Sequence, residues 1–263
     1  MVGDHRALRG RRALITGAAG GVGAATARRF CDEGAAVAVA DLDGEGAARL
    51  AAELREGGHS AEPLQVDVTD DASVAAAVRD AAAALGGLDA LVANAGIFTY
   101  APLAETTPAA FRRTLEVNLV GTFLCIRHAV PALLEAGGGA IVCVASQSGI
   151  EGVPGASAYC ASKFGVVGVV ESLARELTGH GIRVTAVAPS PVRTAMITDY
   201  YESEARRQGV TAAAIEQKTL DEYPIGRLAR PEEVASAIAF LASDAASYVS
   251  GAVLPLIGGQ VSR

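Results

Sequence analysis

The feature that most constrains the fold lies near the amino terminus, where a short apolar strand leads into a glycine-rich turn and then a helix. Residues 12–16 (RALIT) predict the strand, and residues 17–23 (GAAGGVG) predict the turn. This order of elements can bind phosphate, because the start of a helix presents unpaired amide groups. We expect Gly17 to permit the turn, Gly21 to let the backbone approach a pyrophosphate, and Gly23 to let the helix pack against the strand.

Apolar strands alternate with helices along the rest of the chain, which predicts a parallel sheet covered by helices on both faces. No linker divides the 263 residues, so we predict one α/β domain, a doubly wound Rossmann fold, over residues 1–263. Further strands are predicted at 36–40, 62–66, 88–93, 140–145, 183–188 and 252–256. Helices are predicted at 44–56, from Asp70 or Asp71 to 85, at 107–136 with a kink near Pro131, after a capping Ser157, and at 231–242.

Composition and charge exclude several functions. The net charge is −7, from 22 basic and 29 acidic residues, which leaves no electrostatic footprint for nucleic acid. No apolar run approaches the ~20 residues of a membrane helix, and residues 1–12 lack the apolar segment of a signal peptide. The four cysteines form no Cys-x-x-Cys pair, and the four histidines are scattered. We therefore expect a cytoplasmic protein with reduced cysteines that binds no nucleic acid, membrane or metal.

A second constraint lies in residues 140–170, where polar side chains follow a buried strand. Ser146 stands at the end of the strand, while Tyr159 and Lys163 lie four residues apart on one face of the next helix. A phenol ordinarily has a pKa of about 10, and an adjacent ammonium favours the phenolate, so Lys163 should lower the pKa of Tyr159. If Ser146 holds a substrate oxygen beside the phenol, these residues form a general acid and base for a carbonyl/alcohol pair.

Taken alone, Tyr159 and Lys163 would indicate only a surface tyrosine and a solvated lysine on an ordinary helix. However, Ser146 lies thirteen residues before Tyr159 (159 − 146), and the turn Thr-Gly-x-x-x-Gly-x-Gly occurs near the amino terminus. This combination resembles the short-chain dehydrogenase/reductase superfamily. The resemblance extends from about Gly10 to Gly259.

The resemblance implies hydride transfer between NAD(H) and a secondary alcohol or ketone. It implies that Tyr159 exchanges the proton, that Ser146 orients and polarises the substrate oxygen, and that Lys163 also holds the nicotinamide ribose. Asn118 matches a residue that helps to hold a water linking the lysine to solvent. Read alone, Asn118 would be a buried polar residue bonded to the backbone.

Asp41 bears on the choice of cofactor. It lies 24 residues after Gly17 (41 − 17), close to the ~20 expected of an acid that binds the adenosine ribose and repels a 2′-phosphate. No Arg or Lys occupies Ala18, Ala19 or Leu42, so we predict NAD rather than NADP. The alternative is that Asp41 caps the next helix. The cofactor contacts implied by the resemblance are Gly17, Gly20, Gly21, Val22, Gly23, Asp41, Leu42, Asp67, Val68, Asn94, Ala95, Gly96, Tyr159, Lys163, Pro189, Val192 and Thr194.

One position has two possible roles, and two others differ from the residue that is usual in the family. The resemblance places Asp67 at the adenine ring, but it could equally be a turn residue. Ser190 stands where the family usually has glycine, so the local turn can differ. Ile257 stands where the family usually has aspartate, at a structural position that does not affect catalysis.

The substrate is expected to lie under an irregular polar lid at about residues 195–225. Ile97, Ile150 and Val153 should face it beside Ser146 and Tyr159, and the first three are apolar. No Arg or Lys is placed by motif to hold an anion, although Arg193 or Lys218 could swing in. We therefore expect a neutral, mainly apolar or cyclic alcohol.

The segment 164–170 (FGVVGVV) is apolar nearly all round its helix, so its outer face also needs burial. The family that the chain resembles forms tetramers through this helix and the one before it, so we expect a homotetramer, with a dimer as the alternative.

Two other functions remain open. One is a 3-oxoacyl or polyketide ketoreductase, against which Asp41 argues because those enzymes often use NADPH. The other is a regulator that senses a dinucleotide without turnover, although such proteins often lack the pair Tyr159 and Lys163.

Overall fold

The architecture is a parallel sheet between two layers of helices. The computed structural model describes residues 7–260. The predicted ends of the domain, at residues 1 and 263, lie outside the described residues. So do residues 1–6 of the segment predicted to lack a signal peptide. In the described part, seven strands pair in parallel in the order β3-β2-β1-β4-β5-β6-β7, which confirms the predicted doubly wound fold. The strands are β1 (Arg12–Thr16), β2 (Ala36–Asp41), β3 (Ala61–Gln65), β4 (Ala90–Ala93), β5 (Gly139–Val144), β6 (Ile182–Pro189) and β7 (Val253–Leu256).

Alternate residues of each strand face opposite helical layers, as the period of two in a strand requires. The helices are α1 (Gly21–Asp32), α2 (Gly44–Glu56), α3 (Asp71–Leu85), α4 (Pro108–Leu115), α5 (Gly121–Glu135), α6 (Ser157–Leu177), α7 (Ala195–Gln208), α8 (Ala212–Leu220) and α9 (Pro231–Ala242). In β1, Leu14 packs with the layer of α3, α5 and α6, whereas Ala13 and Ile15 pack with the layer of α1, α2 and α9.

The helix starts are partly as predicted. Thr107 caps α4 with a hydrogen bond from the amide of Ala110, and Pro108 is the first helical residue. Asp70, rather than Asp71, caps α3. The predicted cap at Ser157 is wrong. A capping Ser157 would place the first helical residue at position 158, but α6 begins at Ser157. Ala156 occupies the cap position without a side-chain hydrogen bond, and Ser157 is already helical.

The single helix predicted at 107–136 is interrupted by a π-helical turn, Glu116–Val120, between α4 and α5. This turn contains the buried Asn118. Pro131 lies inside α5, and the kink near it stays a prediction.

One expectation about membranes needs correction. Among residues 7–260, the helical stretch Pro108–Glu135 is 28 residues long and apolar enough to cross a membrane by length and composition. Half of its most apolar window is buried inside the protein, and its residues Leu124, Ile126 and Leu133 pack beside the sheet. Core helices of globular proteins pass the same test, so this stretch is weak evidence for a membrane.

The predicted irregular lid is helical. The segment from residue 195 to 225 contains α7 and α8, which share a small core of Tyr201, Ala205, Ile215 and Leu228. Tyr201 and Ala205 are four residues apart, so they lie on one face of α7. The many polar residues around them hid this spacing in the sequence.

An ion pair joins the amino ends of two neighbouring strands. Arg12 opens β1, and its side chain donates hydrogen bonds of 2.7 and 2.8 Å to Asp89, which precedes β4. The Arg12 main-chain amide adds a third, of 2.9 Å. Burial raises the pKa of Asp89, but the hydrogen bonds and charge of Arg12 outweigh it and hold this pKa below its ordinary value.

We expect Asp89→Asn to lower the free energy of unfolding at pH 7 by about 1.5–3 kcal/mol, the usual range for hydrogen bonds to charged groups. A carboxyl whose pKa is lower in the folded state stabilises above its unfolded pKa of about 4, and this stabilisation disappears as the pH falls through the folded value. Urea unfolding at neutral and acidic pH should therefore show the two proteins converging in acid.

Asp80→Asn is the matched control for Asp89→Asn. Asp80 pairs with Arg79 on the surface, where both side chains are more than half exposed. Its removal should cost less than about 0.5 kcal/mol. Equal losses in the two variants would contradict the assigned role of Asp89.

Candidate active site

A cavity of about 860 Å³ lies where the carboxyl ends of the strands meet their loops. We call it the site cavity. It brings together most residues that the sequence singled out, but Gly23, Asn118 and Ile150 do not line it. Of the predicted residues, it is lined by Gly17, Gly20, Gly21, Val22, Asp41, Leu42, Asp67, Val68, Asn94, Ala95, Gly96, Ile97, Ser146, Val153, Tyr159, Lys163, Pro189, Val192 and Thr194.

The glycine turn leaves room for a ligand against its backbone. Gly17 has a φ of +63°, and a Cβ there would lie 2.7 Å from the Cα of Ala95. Gly21 has a φ of +55°, and its Cβ would lie 3.3 Å from Thr194 across the cavity. A Cβ on Gly23 would run into the carbonyl oxygen of Gly17. Since side chains at these points would fill the turn or break its packing, the turn fits the pyrophosphate of a dinucleotide.

Asn94 braces this turn from the end of β4. Its Nδ2 donates to the carbonyl oxygens of Thr16 at 3.0 Å and Gly17 at 2.8 Å. The Thr16 hydroxyl in turn accepts from the Asn94 main-chain amide at 3.2 Å. The structure therefore gives Asn94 a stabilising contact between β1 and β4 beside the cavity.

Asp41 lies at the end of β2, held by two backbone amides. Its Oδ2 accepts from Ala19 at 2.8 Å, and its Oδ1 accepts from Asp43 at 3.0 Å. Asp43, not Asp41, caps α2 through a hydrogen bond from Gly46. Each Asp41 oxygen retains a lone pair, so the carboxylate can still accept from ribose hydroxyls.

Asp67 is a turn residue, which is one of the two roles that the sequence left open. Its Oδ1 accepts from the amide of Thr69 at 2.9 Å and from the Thr69 hydroxyl at 2.7 Å, which makes it a turn residue. These hydrogen bonds lower its pKa. Asp67 and Val68 also line the site cavity.

Ser146, Tyr159 and Lys163 meet at the end of β5. The Tyr159 phenol and the Ser146 hydroxyl both line the site cavity, and Ser146 lies close enough to lower the pKa of the phenol. Lys163 is buried, and its Nζ donates to the carbonyl oxygen of Val144 at 2.7 Å. The same Nζ lies 5.7 Å from the centroid of the Tyr159 ring. Phe98 packs edge-on against that ring at 4.8 Å.

The expected lowering of the Tyr159 pKa is wrong for this arrangement. Loss of hydration raises the pKa of Tyr159 to about 12, although the Ser146 hydroxyl works against the increase. The same loss lowers the pKa of Lys163 to about 8. Both side chains lie in an interior where the charged forms are poorly solvated, and this effect outweighs their attraction.

Asn118 lies under the site cavity and is fully buried. Its Oδ1 accepts from the amide of Ile97 at 2.8 Å, and its Nδ2 donates to the Ile97 carbonyl at 2.9 Å and to Ser162 at 3.0 Å. The side chain therefore fixes the loop after β4. A role for Asn118 in a proton path remains a prediction.

Sequence reasoning missed an aromatic wall of the site cavity. Tyr200, on α7, packs edge-on against Phe98 at 5.3 Å and against Tyr100 at 4.9 Å. It also missed Gln147, Tyr223 and Gln260. These residues come from distant segments without a local pattern, and only the fold brings them together.

No group of three or more His, Cys, Asp or Glu side chains suited to a metal occurs within residues 7–260. The four cysteines are buried and unpaired.

Comparison with known proteins identifies the family. A family model described as Enoyl-(Acyl carrier protein) reductase matches residues 17–260. The cis-4-hydroxycyclohexanecarboxylate dehydrogenase of Sinomonas cyclohexanicum is 48% identical over 96% of this chain and 97% of its own length. The D-threitol dehydrogenase of Mycolicibacterium smegmatis is 43% identical over 97% of this chain and 95% of its own length.

A solved structure of 7α-hydroxysteroid dehydrogenase, complexed with NADH and 7-oxo glycochenodeoxycholic acid, is also similar. It has 33% sequence identity and a TM-score of 0.88, covering 100% of this chain and 99% of that chain. The chain belongs to the short-chain dehydrogenase/reductase family. A nicotinamide dinucleotide is the cofactor typical of that family.

The burial of Lys163 predicts an unusual dependence of stability on pH. An unfolded lysine has a pKa of about 10.4, so between that value and the folded value of about 8 the unfolded chain binds more protons. Stability must then rise with pH in this window. From pH 7 to pH 10, Lys163 should add about 2–3 kcal/mol to the free energy of unfolding.

Urea unfolding of the cofactor-free wild type and of Lys163→Met at both pH values isolates this contribution, because other groups are common to both proteins. Lys218→Met, which removes the chain's other lysine on an exposed face of α8, should keep the wild-type pH dependence. The same pH dependence in Lys163→Met and the wild type would contradict the burial argument.

Proposed function

We propose that the protein is an NAD-dependent oxidoreductase that transfers a hydride between the nicotinamide and a secondary alcohol or ketone. The observation that carries the proposal is the arrangement of the site cavity. One end has the glycine turn and Asp41, and the other has Ser146, Tyr159 and Lys163. A dinucleotide and a small alcohol fit such a cavity together, and the chemistry requires no metal.

In the proposed mechanism, a bound nicotinamide dinucleotide supplies the hydride acceptor or donor. The Ser146 hydroxyl would hold the substrate oxygen, and the Tyr159 phenol, on the same cavity, would exchange a proton with it. A phenol with a pKa of about 12 is protonated at neutral pH and is ready to act as the acid in ketone reduction. In alcohol oxidation, the Lys163 ammonium would stabilise the phenolate and hold the nicotinamide ribose, while Asn118 completes the proton path.

The same proposal assigns the cofactor contacts predicted from the sequence. The turn from Gly17 to Gly23 would hold the pyrophosphate, and Asp67 with Val68 would contact the adenine ring. Val192 and Thr194 would hold the nicotinamide carboxamide. Their common position on the site cavity supports these roles.

Two features support NAD over NADP. Asp41 presents a carboxylate where a 2′-phosphate would lie, and its neighbour on the cavity wall, Leu42, is apolar. The related 7α-hydroxysteroid dehydrogenase was solved with NADH.

For the substrate we propose a neutral, mainly apolar or cyclic alcohol. Ile97, Val153, Phe98 and Tyr200 supply apolar surface near Tyr159. Ile150 does not line the cavity, so its predicted contact with substrate finds no support. By their names, the two relatives above act on a hydroxycyclohexanecarboxylate and on threitol. The first supports a ring alcohol, although that substrate is an anion, and the second supports a small neutral alcohol. Because NAD is mostly oxidised in cells, we propose that the enzyme works as a dehydrogenase.

A 3-oxoacyl or polyketide ketoreductase is the alternative enzyme, and the similarity to the 3-oxoacyl-[acyl-carrier-protein] reductase FabG of Thermotoga maritima, at 39% identity, keeps it open. A sensor without turnover is the alternative of another class. The presence of Ser146, Tyr159 and Lys163 together on the site cavity favours catalysis over sensing.

We also propose a cytoplasmic homotetramer. Phe123 on α5 and Phe164 on α6 are 44% and 47% exposed, and both helices turn their other faces to the core. Burial of these rings against a second copy would stabilise an oligomer. A monomer by light scattering at micromolar concentration would refute the oligomer.

The proposed location in the cytoplasm rests on the cysteines. They are unpaired, which is consistent with a reducing compartment.

Asp41 should determine the choice of cofactor. We expect kcat/KM with NAD to exceed that with NADP by more than about tenfold, because the carboxylate repels the 2′-phosphate. The double variant Asp41→Ser, Leu42→Arg should reduce this ratio by at least about tenfold.

Asp43→Asn is the control for Asp41, since it removes a neighbouring carboxylate while keeping the helix cap. Its cofactor ratio should stay close to that of the wild type. A clear preference of the wild type for NADP would refute the assignment.

The substrate proposal is tested with NAD and a panel of cyclic and aliphatic secondary alcohols, sugar phosphates and hydroxy acids. We expect turnover of the neutral alcohols. Activity confined to anionic compounds would show that the cavity binds an anion, with Lys218 as the candidate because it lines the cavity. Arg193 is paired with Glu216 at 2.9 Å and would first have to leave that partner.

A further inference from the structure

A hydrogen-bonded group of polar side chains forms the wall of the site cavity next to Ser146. Its centre is Gln147, the residue after Ser146, which is only 6% exposed. The Tyr223 hydroxyl donates to Gln147 Oε1 at 2.7 Å, and Gln147 Nε2 donates to Gln260 at 2.6 Å and to Glu151 at 3.2 Å. We call Gln147, Glu151, Tyr223 and Gln260 the Gln147 cluster.

All members of the Gln147 cluster line the cavity that contains Tyr159, yet the proposed proton transfer uses none of them. They come from three separate places: the turn after β5, the loop after α8 and the segment after β7. Burying amide and phenol groups costs free energy unless each is hydrogen-bonded. A polar wall at this point is therefore a specific feature of the cavity.

The hydrogen bonds within the cluster leave defined positions for a ligand. Both N–H groups of the Gln147 side-chain amide already donate hydrogen bonds within the cluster. Burial raises the pKa of Tyr223, so the phenol stays protonated and its O–H donates a hydrogen bond to Gln147. Among the described residues, no partner occupies the second carboxylate oxygen of Glu151 or the amide nitrogen of Gln260. The cluster thus offers the cavity one acceptor and one donor.

We propose that the Gln147 cluster is a subsite for a second, neutral hydroxyl group of the substrate, close to the carbon that is oxidised. This inference rests on the proposed function and specifies its substrate class as a ring or chain diol. A hydroxyl can donate to Glu151 and accept from Gln260 at the same time. An ammonium can only donate, and a carboxylate can only accept and is repelled by Glu151.

The aromatic part of the cavity lining adds to this specificity. Phe98, Tyr100 and Tyr200 present aromatic surface, with Phe98 against the Tyr159 ring. A substrate with one apolar face and one hydroxylated edge matches both walls. A plain ring alcohol would leave the open positions of the cluster without a partner in a partly dry cavity, which is unfavourable.

The test compares kcat/KM for cyclohexanol, the cis and trans forms of 1,2-cyclohexanediol, and 2-aminocyclohexanol, each with NAD. We expect the wild type to prefer one diol over cyclohexanol by at least about tenfold, as a hydrogen bond to a charged group allows. Glu151→Ala should reduce this ratio at least about fivefold, and Glu151→Gln, which keeps an acceptor, should restore most of it. Gln147→Leu should also reduce the ratio.

Glu222→Ala is the matched control, since Glu222 is an exposed carboxylate of the same cavity wall outside the cluster. Its ratio should equal that of the wild type. If Gln147→Leu does not fold, the two Glu151 variants still decide the matter, because Glu151 lies in a loop.

The outcomes separate the two proposals. Turnover of cyclohexanol without a preference for either diol would overturn the subsite and leave the proposed function standing. A preference for the amino alcohol, or an equal loss of ratio in Glu222→Ala, would also overturn the subsite. No turnover of any of these alcohols, with NAD or with NADP, would overturn both proposals.

Discussion

Parallel pairing of the strands is the constraint on which the rest of this structure depends. Because all strands of the described sheet run in one direction, their carboxyl ends open at one edge, and every loop that follows a strand must turn there. For this reason the edge brings together the glycine turn after β1, Asp41 at the end of β2, Asn94 after β4 and Ser146 after β5. The hydrogen bonds from the Asn94 side chain to the carbonyl oxygens of Thr16 and Gly17 then hold the turn in register with the rest of the edge.

The same architecture makes the catalytic end of the cavity poorly solvated. Lys163 reaches from α6 to the last carbonyl of β5, so its ammonium is satisfied by one main-chain oxygen and an aromatic face. The pKa of Lys163 is lowered, and that of Tyr159 is raised, since the charged form of each is disfavoured. The protein thereby gives up stability at neutral pH to keep a lysine and a phenol together where they can act on a substrate oxygen.

Local patterns in the sequence predicted much of this molecule. The glycine turn, Asp41 and the order Ser146, Tyr159, Lys163 each lie within a short segment, and the family resemblance that they carry together predicted where the site would form. The strands were predicted to within two residues, because buried strands are apolar runs between turns.

What the sequence could not give depends on contacts between distant segments. Gln147 and Tyr223 are 76 residues apart, and no periodic pattern links them. The helices α7 and α8 were missed because their small shared core contributes few apolar residues among many polar ones. The direction of the Tyr159 pKa shift was wrong because spacing shows that a lysine is near but not how much water both groups have lost.

The central claim is that Tyr159 exchanges the proton with the substrate while other residues bind the cofactor. The most direct measurement is Tyr159→Phe, which removes one oxygen and keeps the ring against Phe98. We predict that kcat for a secondary alcohol falls by about 10²–10⁴-fold, the usual contribution of a general acid or base, while the affinity for NADH, measured through the fluorescence of the reduced nicotinamide, changes little. A variant that binds NAD normally and keeps most of its kcat would contradict the account.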